Sequence, residues 1–382
     1  MKEEILLTPG PTMVDPRVTQ ILSSPQISHM GKEMYEAFVE TIELTKYLFG
    51  GGEPILITGS GTVGMEASVI SLIEPGDNVI VYATGYFGER FSEINRIHGA
   101  NVTEIKPEIG GAAKPEILKQ ELEKGDYKAV FMTHVETSTG VENPINELVK
   151  VSKENNAYTV VDTVAGIAGC KINFDELNAD IVLTGSQKAI ASIPGVAVLA
   201  ISKQAIEAFE SRKTPINSYY MNLLRWKKIM DNPKRYLATP SVQSIFALRE
   251  SLKIIKEEGL ENRWKRHEII ADAFRSGVTS IGCNIVAEEG YRANTVTAFY
   301  THRDNAVELQ KMMLNKFGVH LSTALGELRD KALRIGHFGN VTAKEVIAAL
   351  TALEMCLRLD GSNIEAGTAL KHATPILERI NE

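Results

Sequence analysis

The chain has 382 residues, 44% apolar, 23% charged and 7% aromatic, with 30 glycines, 14 prolines and three cysteines. That composition excludes disordered, collagenous and disulfide-stapled classes, and the length suits about two domains around a large buried core. Acidic residues outnumber basic ones, 48 to 41, for a net charge of −7, which argues against general nucleic-acid binding.

The opening Met1–Gly10 is too short and too acidic for a secretory leader. No apolar run approaches the roughly 18 residues of a membrane helix, so no membrane partner is expected. Met34, Phe38, Ile42, Thr45 and Leu48 recur every three or four residues, which predicts a helix. From about Glu53 to Ser202, short apolar runs alternate with amphipathic stretches. The runs are Ile55–Thr58, Val79–Tyr82, Ala129–Met132, Tyr158–Val161, Ile181–Thr184 and Val196–Ile201. Continuous β-branched runs suit strands covered on both faces. The fold class is therefore α/β, with a mostly parallel central sheet and flanking crossover helices.

After about residue 255 the texture changes. A charged helix from Ser251 to about Arg275 leads to an alternating strand, Asn294–Tyr300, and a helix near Asn305–Phe317. A last helix opens on Thr342 and Glu345 at capping-box spacing, with Val346, Leu350, Leu353 and Leu357 on one face. The expected organisation is an N-terminal segment 1–15, a large domain 16–255 and a small C-terminal α+β domain 256–382. Cys170, Cys283 and Cys356 are widely spaced and give neither a disulfide framework nor a metal pair. A reducing cytoplasm without a bound metal is the expectation.

Three features carry chemistry. Strand Ile55–Thr58 runs into Gly59-Ser-Gly-Thr-Val-Gly64 and a helix over Met65–Ile73. Read literally, this is a dinucleotide fingerprint. However, the next strand ends on Val81-Tyr82-Ala83-Thr84 without the acid that holds a ribose, and Asp77 precedes that strand. A nicotinamide dehydrogenase is thereby disfavoured. What remains is an anion site, where backbone N–H groups and the Ser60 and Thr62 hydroxyls meet a helix N-terminus. Asp162 follows an apolar strand, where ligands of open α/β sheets gather. Lys188 lies between two apolar runs, and an apolar setting lowers an amine's proton affinity and makes it a nucleophile. An anion turn, a carboxylate and a Schiff-base lysine are the parts that pyridoxal phosphate needs for its phosphate, ring nitrogen and aldehyde.

On these residues the chain resembles the class V aminotransferases of pyridoxal-phosphate fold type I, closest to the alanine–glyoxylate and serine–pyruvate (serine–glyoxylate) branch. The likeness runs through Leu7–Thr12, His29–Tyr35, Gly59–Thr62, Glu136–Val141, Val161–Ala165, Gly185–Lys188, Tyr236–Pro240 and Leu333–His337, with a step of 26 positions from Asp162 to Lys188. It implies that Lys188 holds the cofactor and then moves the substrate α-proton, while Asp162 keeps the ring nitrogen cationic. Thr137 would meet the ring hydroxyl region, and Phe87, or adjacent Tyr86, would stack on the ring. Ser60, Gly61, Thr62 and Gln187 would hold the phosphate. Tyr236 and Thr239 would join them from the partner subunit of a homodimer. Arg334 would bind the substrate carboxylate, and Pro11 and Thr12 would line the substrate pocket.

The implied reaction is ping-pong transfer of an amino group from serine or alanine to glyoxylate or pyruvate. An aspartate-type enzyme of broad specificity is the alternative. A desulfurase is disfavoured, since no cysteine lies between Gly318 and Arg334 and Phe87 stands where that family tends to have His.

Overall fold

A computed structural model describes residues 4–381. The apolar runs form a seven-stranded sheet in the spatial order Glu53–Thr58, Val196–Ile201, Ile181–Gly185, Tyr158–Asp162, Ala129–Thr133, Asn78–Tyr82, Asn101–Ile105. Six strands share one direction, and Val196–Ile201 runs antiparallel to both of its neighbours. The sheet is thus mostly parallel, as expected, with this one strand reversed. The reason is the connection. The loop 186–195 closes on itself through Ser186 N to Val196 O (3.0 Å) and Ser186 Oγ to Ile193 O (2.6 Å). It is shorter than the dozen or so residues that a parallel crossover needs.

Strand Asn101–Ile105 was invisible in the sequence because it forms the sheet edge, pairs on one side only and is half-exposed. The helix predicted around Met34 and Leu48 spans Lys32–Phe49, buries all five of the spaced residues, and ends at Gly50 in the left-handed region. Layers of helix cover both sheet faces, giving one core with Ile55, Val79, Phe131, Val160 and Leu183.

The charged helix Ser251–Arg275 is instead two helices, Val242–Glu258 and Leu260–Ser280, joined at Gly259 with φ +80°. A second core gathers Phe274, Phe299, Leu333, Leu350 and Leu353, and Leu7 packs into it. Its three-stranded antiparallel sheet sets Ala332–Gly336 between Val296–Tyr300 and Ser322–Thr323. The last long helix, Ala343–Leu359, starts with the expected capping box of Thr342 and Glu345. Among the described residues, no helix is long and apolar enough to cross a membrane.

Candidate active site

The shared strand direction brings the C-terminal ends of six strands to one edge of the sheet, and the chemistry-bearing residues follow those ends. Thr58 leads to Gly59 and Ser60, Tyr82 to Phe87, Thr133 to Thr137, and Gly185 to Lys188, while Asp162 is itself a strand end. The helix after the glycine turn begins at Gly61, four residues earlier than predicted, with Ser60 as its N-cap. The Ser60 hydroxyl makes no capping bond. A Cβ on Gly61 would fall 2.7 Å from Val164, so only glycine lets this turn approach the segment behind Asp162.

Asp162 is buried, and its Oδ1 accepts from Val164 N at 2.8 Å. Burial pushes its carboxyl up to about 6, with Glu136 adding to the rise and the Val164 N–H opposing it. Lys188 is half-buried, donates to the Pro9 carbonyl, and points its ammonium toward the Phe338 ring at 5.7 Å. Its stem runs against Gly10, where a Cβ would come within 2.3 Å of Cδ. Burial is the main force lowering its amine to about 8. The positive charges of Arg334 and Arg90 lower it further, and Asp162 opposes them.

Arg334 lies on the middle strand of the small sheet and is buried. It donates through Nε to Thr323 O and through Nη1 to Thr137 O, both at 3.0 Å. Burial lowers it to about 10 against the pull of Glu136. Its hydrogen bonds are to carbonyls, so the guanidinium keeps its charge for a carboxylate from outside the chain. Thr12 is buried beside Lys188, with its N–H on Gln187 O (3.2 Å) and its hydroxyl on Phe338 O (3.3 Å). Pro11 is exposed next to it. Gln187 keeps a buried Oε1 with no partner, an amide with hydrogen-bonding capacity left to use. Thr137 is buried under Arg334. Phe87 is half-buried at the start of helix Tyr86–Ile97, whereas Tyr86 is 47% exposed.

Tyr236 and Thr239 are the two residues not brought in. They hydrogen-bond each other at 3.1 Å on an exposed segment. Among the described residues, no hydrogen bond ties them to Ser60, Asp162 or Lys188.

Two residues were missed. Glu136 is fully buried and accepts from Phe87 N (3.0 Å), Gly88 N (3.2 Å), Ser138 N (3.0 Å) and Ser138 Oγ (2.6 Å). Its carboxylate thus caps the helix that carries Phe87, although burial raises its pKa. Arg90 donates to Thr62 Oγ1 at 3.2 Å and lies over the Phe87 ring, 4.7 Å from its centre. Its three-residue spacing from Phe87 on a helix was the available signal.

The uncapped Ser60 hydroxyl and the Gln187 side-chain amide beside the helix N-terminus, the softened Lys188 amine and the buried Asp162 carboxyl are the groups that an anionic aldehyde with a basic ring nitrogen requires. Fold and site together define a pyridoxal-phosphate-dependent transferase of fold type I. The family model described as Aminotransferase class-V matches residues 15–335, and the chain belongs to that family. It is 37% identical to an uncharacterised aminotransferase of Methanocaldococcus jannaschii, over 95% of each chain. It is 32% identical to alanine–glyoxylate aminotransferase of Oryctolagus cuniculus, over 93% of this chain and 92% of that one. The crystal structure of ureidoglycine–glyoxylate aminotransferase from Bacillus subtilis superposes with a TM-score of 0.95, at 30% identity over 99% of each chain.

Proposed function

We propose that this aminotransferase moves the amino group of a small amino acid, serine or alanine, to glyoxylate or pyruvate in two alternating half-reactions. The observation that carries this reading is a softened amine and a buried carboxylate at one sheet edge, met at Thr137 by an arginine of the small sheet that makes no pairing with a carboxylate among the described residues. Both named relatives above, from Oryctolagus cuniculus and Bacillus subtilis, carry glyoxylate in their names, which supports glyoxylate as acceptor.

Pyridoxal phosphate, when bound, supplies an aldehyde that condenses with amines and a ring that draws electrons from the substrate Cα. The chain's residues do the rest. Arg334 grips the α-carboxylate with its planar fork, which fixes the Cα–H bond relative to Lys188. Lys188 Nζ, neutral from about pH 8 upward, takes the proton from Cα and delivers it again. Asp162, held in a dry pocket, keeps a positive charge on the ring nitrogen. Phe87 covers the ring face, Thr137 meets its hydroxyl region, and Ser60, Gly61, Thr62 and Gln187 hold the phosphate. The Pro11–Thr12 segment lines the pocket beside Lys188, with Thr12 as its buried part.

Tyr236 and Thr239 act in the other subunit of a homodimer, a reading supported by the exposure of Tyr236, Tyr219 and Met30 on that face. The large unit 16–255 carries the cofactor side, and the smaller unit 256–382 carries Arg334.

A second reading, with a dicarboxylate such as aspartate as donor, is favoured by one observation, the additional uncommitted arginine Arg90. A panel of amino donors against glyoxylate, pyruvate and 2-oxoglutarate separates the two. Serine or alanine with glyoxylate or pyruvate should give the highest kcat/KM. Faster turnover of aspartate with 2-oxoglutarate would replace the first reading with the second.

A further inference from the structure

Helix Tyr86–Ile97 sets Phe87 and Arg90 three residues apart, so both side chains leave the same face. Glu89, next in sequence, turns away to Lys106 at 2.9 Å. Arg90 has no such pairing. Among the described residues its one side-chain hydrogen bond is to the neutral Thr62 hydroxyl, and its guanidinium rests on Phe87 and Tyr86, 4.7 and 5.5 Å from the ring centres. A half-buried guanidinium facing only a hydroxyl and aromatic carbon is poorly compensated, and such groups are kept where an anion arrives. Its charge reaches the site, since it disfavours the protonated form of Lys188 and favours the ionised form of Asp162.

The other groups around Thr62 are neutral: the uncapped Ser60 hydroxyl, the unpartnered Gln187 amide and the N–H groups opening helix Gly61–Leu72. A phosphate monoester carries about −1.5 to −2 charges at neutral pH. Neutral dipoles orient such an anion but do not cancel it. Because Thr62 Oγ1 accepts from Arg90, its O–H proton stays free to donate elsewhere.

We propose that Arg90 is the charge partner of the cofactor phosphate. It fixes the Thr62 hydroxyl as a donor and supplies the full positive charge that makes the site prefer pyridoxal phosphate to pyridoxal. This rests on the reading of the site as a pyridoxal-phosphate site, and it assigns Arg90 to the cofactor, not to a second substrate carboxylate.

The test is equilibrium binding by the cofactor-stripped full-length protein, wild type, Arg90→Gln and Arg90→Lys, titrated separately with pyridoxal phosphate and with pyridoxal. Near-visible absorbance and intrinsic fluorescence report binding without any turnover. Arg90→Gln should raise the Kd for pyridoxal phosphate about 10- to 100-fold, the scale of a lost charge-assisted contact. The Kd for pyridoxal should change far less, because the largest loss is the contact to the phosphate that pyridoxal lacks. Arg90→Lys should recover much of the loss. An unchanged preference for the phosphorylated form in Arg90→Gln would overturn the assignment, and so would equal weakening of both ligands. If the wild-type protein bound neither ligand, the reading of the whole site would fall and this assignment with it.

Discussion

Lys188 has a long flexible stem, yet Gly10 on one side and the Phe338 ring on the other leave it one path. Its pKa is pushed down mainly by burial, so the reactive neutral amine is populated from about pH 8 instead of only near the ordinary lysine value. The rate of amine-selective modification of Lys188 in the apoprotein should therefore rise with pH with a midpoint near 8, as read by peptide mass spectrometry. A midpoint in the ordinary lysine range would show an amine in water. Arg334 offers two prongs where lysine offers a point charge. Arg334→Lys should raise KM for amino and 2-oxo acids about 10- to 100-fold, with a smaller change in kcat and an unchanged bound-cofactor spectrum. A change confined to kcat would contradict its role as carboxylate holder. Lys188 and Asp162 were legible in the sequence because each sits in a local pattern, a strand end or an apolar run, that survives without tertiary contacts, whereas Arg334 was singled out only through the family resemblance. Glu136 was not assigned a role, since a glutamate in a Ser/Thr-rich turn looks solvated until folding buries it against the first turn of another helix.

That first turn depends on Glu136, because the N-cap Gly85 has no side chain with which to cap. Glu136→Ala strips acceptors from Phe87 N, Gly88 N and Ser138, and should cost about 1–3 kcal/mol in urea unfolding, with a raised Kd for pyridoxal phosphate. Loss of stability with an unchanged Kd would limit Glu136 to a structural part. The segment Thr8–Thr12 acts as a strap across Lys188. Gly10→Ala combines a Cβ 2.3 Å from the lysine stem with an unfavourable φ of +85°, so the variant should lose its near-visible absorbance in the presence of cofactor. Normal colour would show that the strap yields freely. The elements that periodicity missed share a cause. The edge strand Asn101–Ile105 has too little buried surface to leave a pattern, and the break at Gly259 interrupts a run whose charge spacing continues unbroken on both sides.

At the scale of the whole molecule, one chain gathers the amine, the carboxylate, the glycine turn and Arg334, but leaves Tyr236 and Thr239 on its surface. If those two serve the neighbouring subunit, a Lys188→Ala chain and a Tyr236→Ala/Thr239→Ala chain damage the same site of a mixed dimer and spare the other. Co-refolding equal amounts should then restore about a quarter of wild-type activity, since half of the dimers are mixed and each keeps one intact site. No recovery would place both residues in their own chain's site, and a Tyr236→Ala/Thr239→Ala chain fully active by itself would place them outside catalysis. The α/β class and mostly parallel sheet were readable because buried strands are written as continuous apolar runs. The reversed strand Val196–Ile201 was not, because burial on both faces gives the same run in either direction. The most direct test of the account is to load the protein with pyridoxal phosphate, reduce with borohydride and map the modified peptide. A yellow protein with the phosphopyridoxyl group fixed to Lys188 is the predicted result, and a colourless protein, or a label on any other lysine, would contradict it.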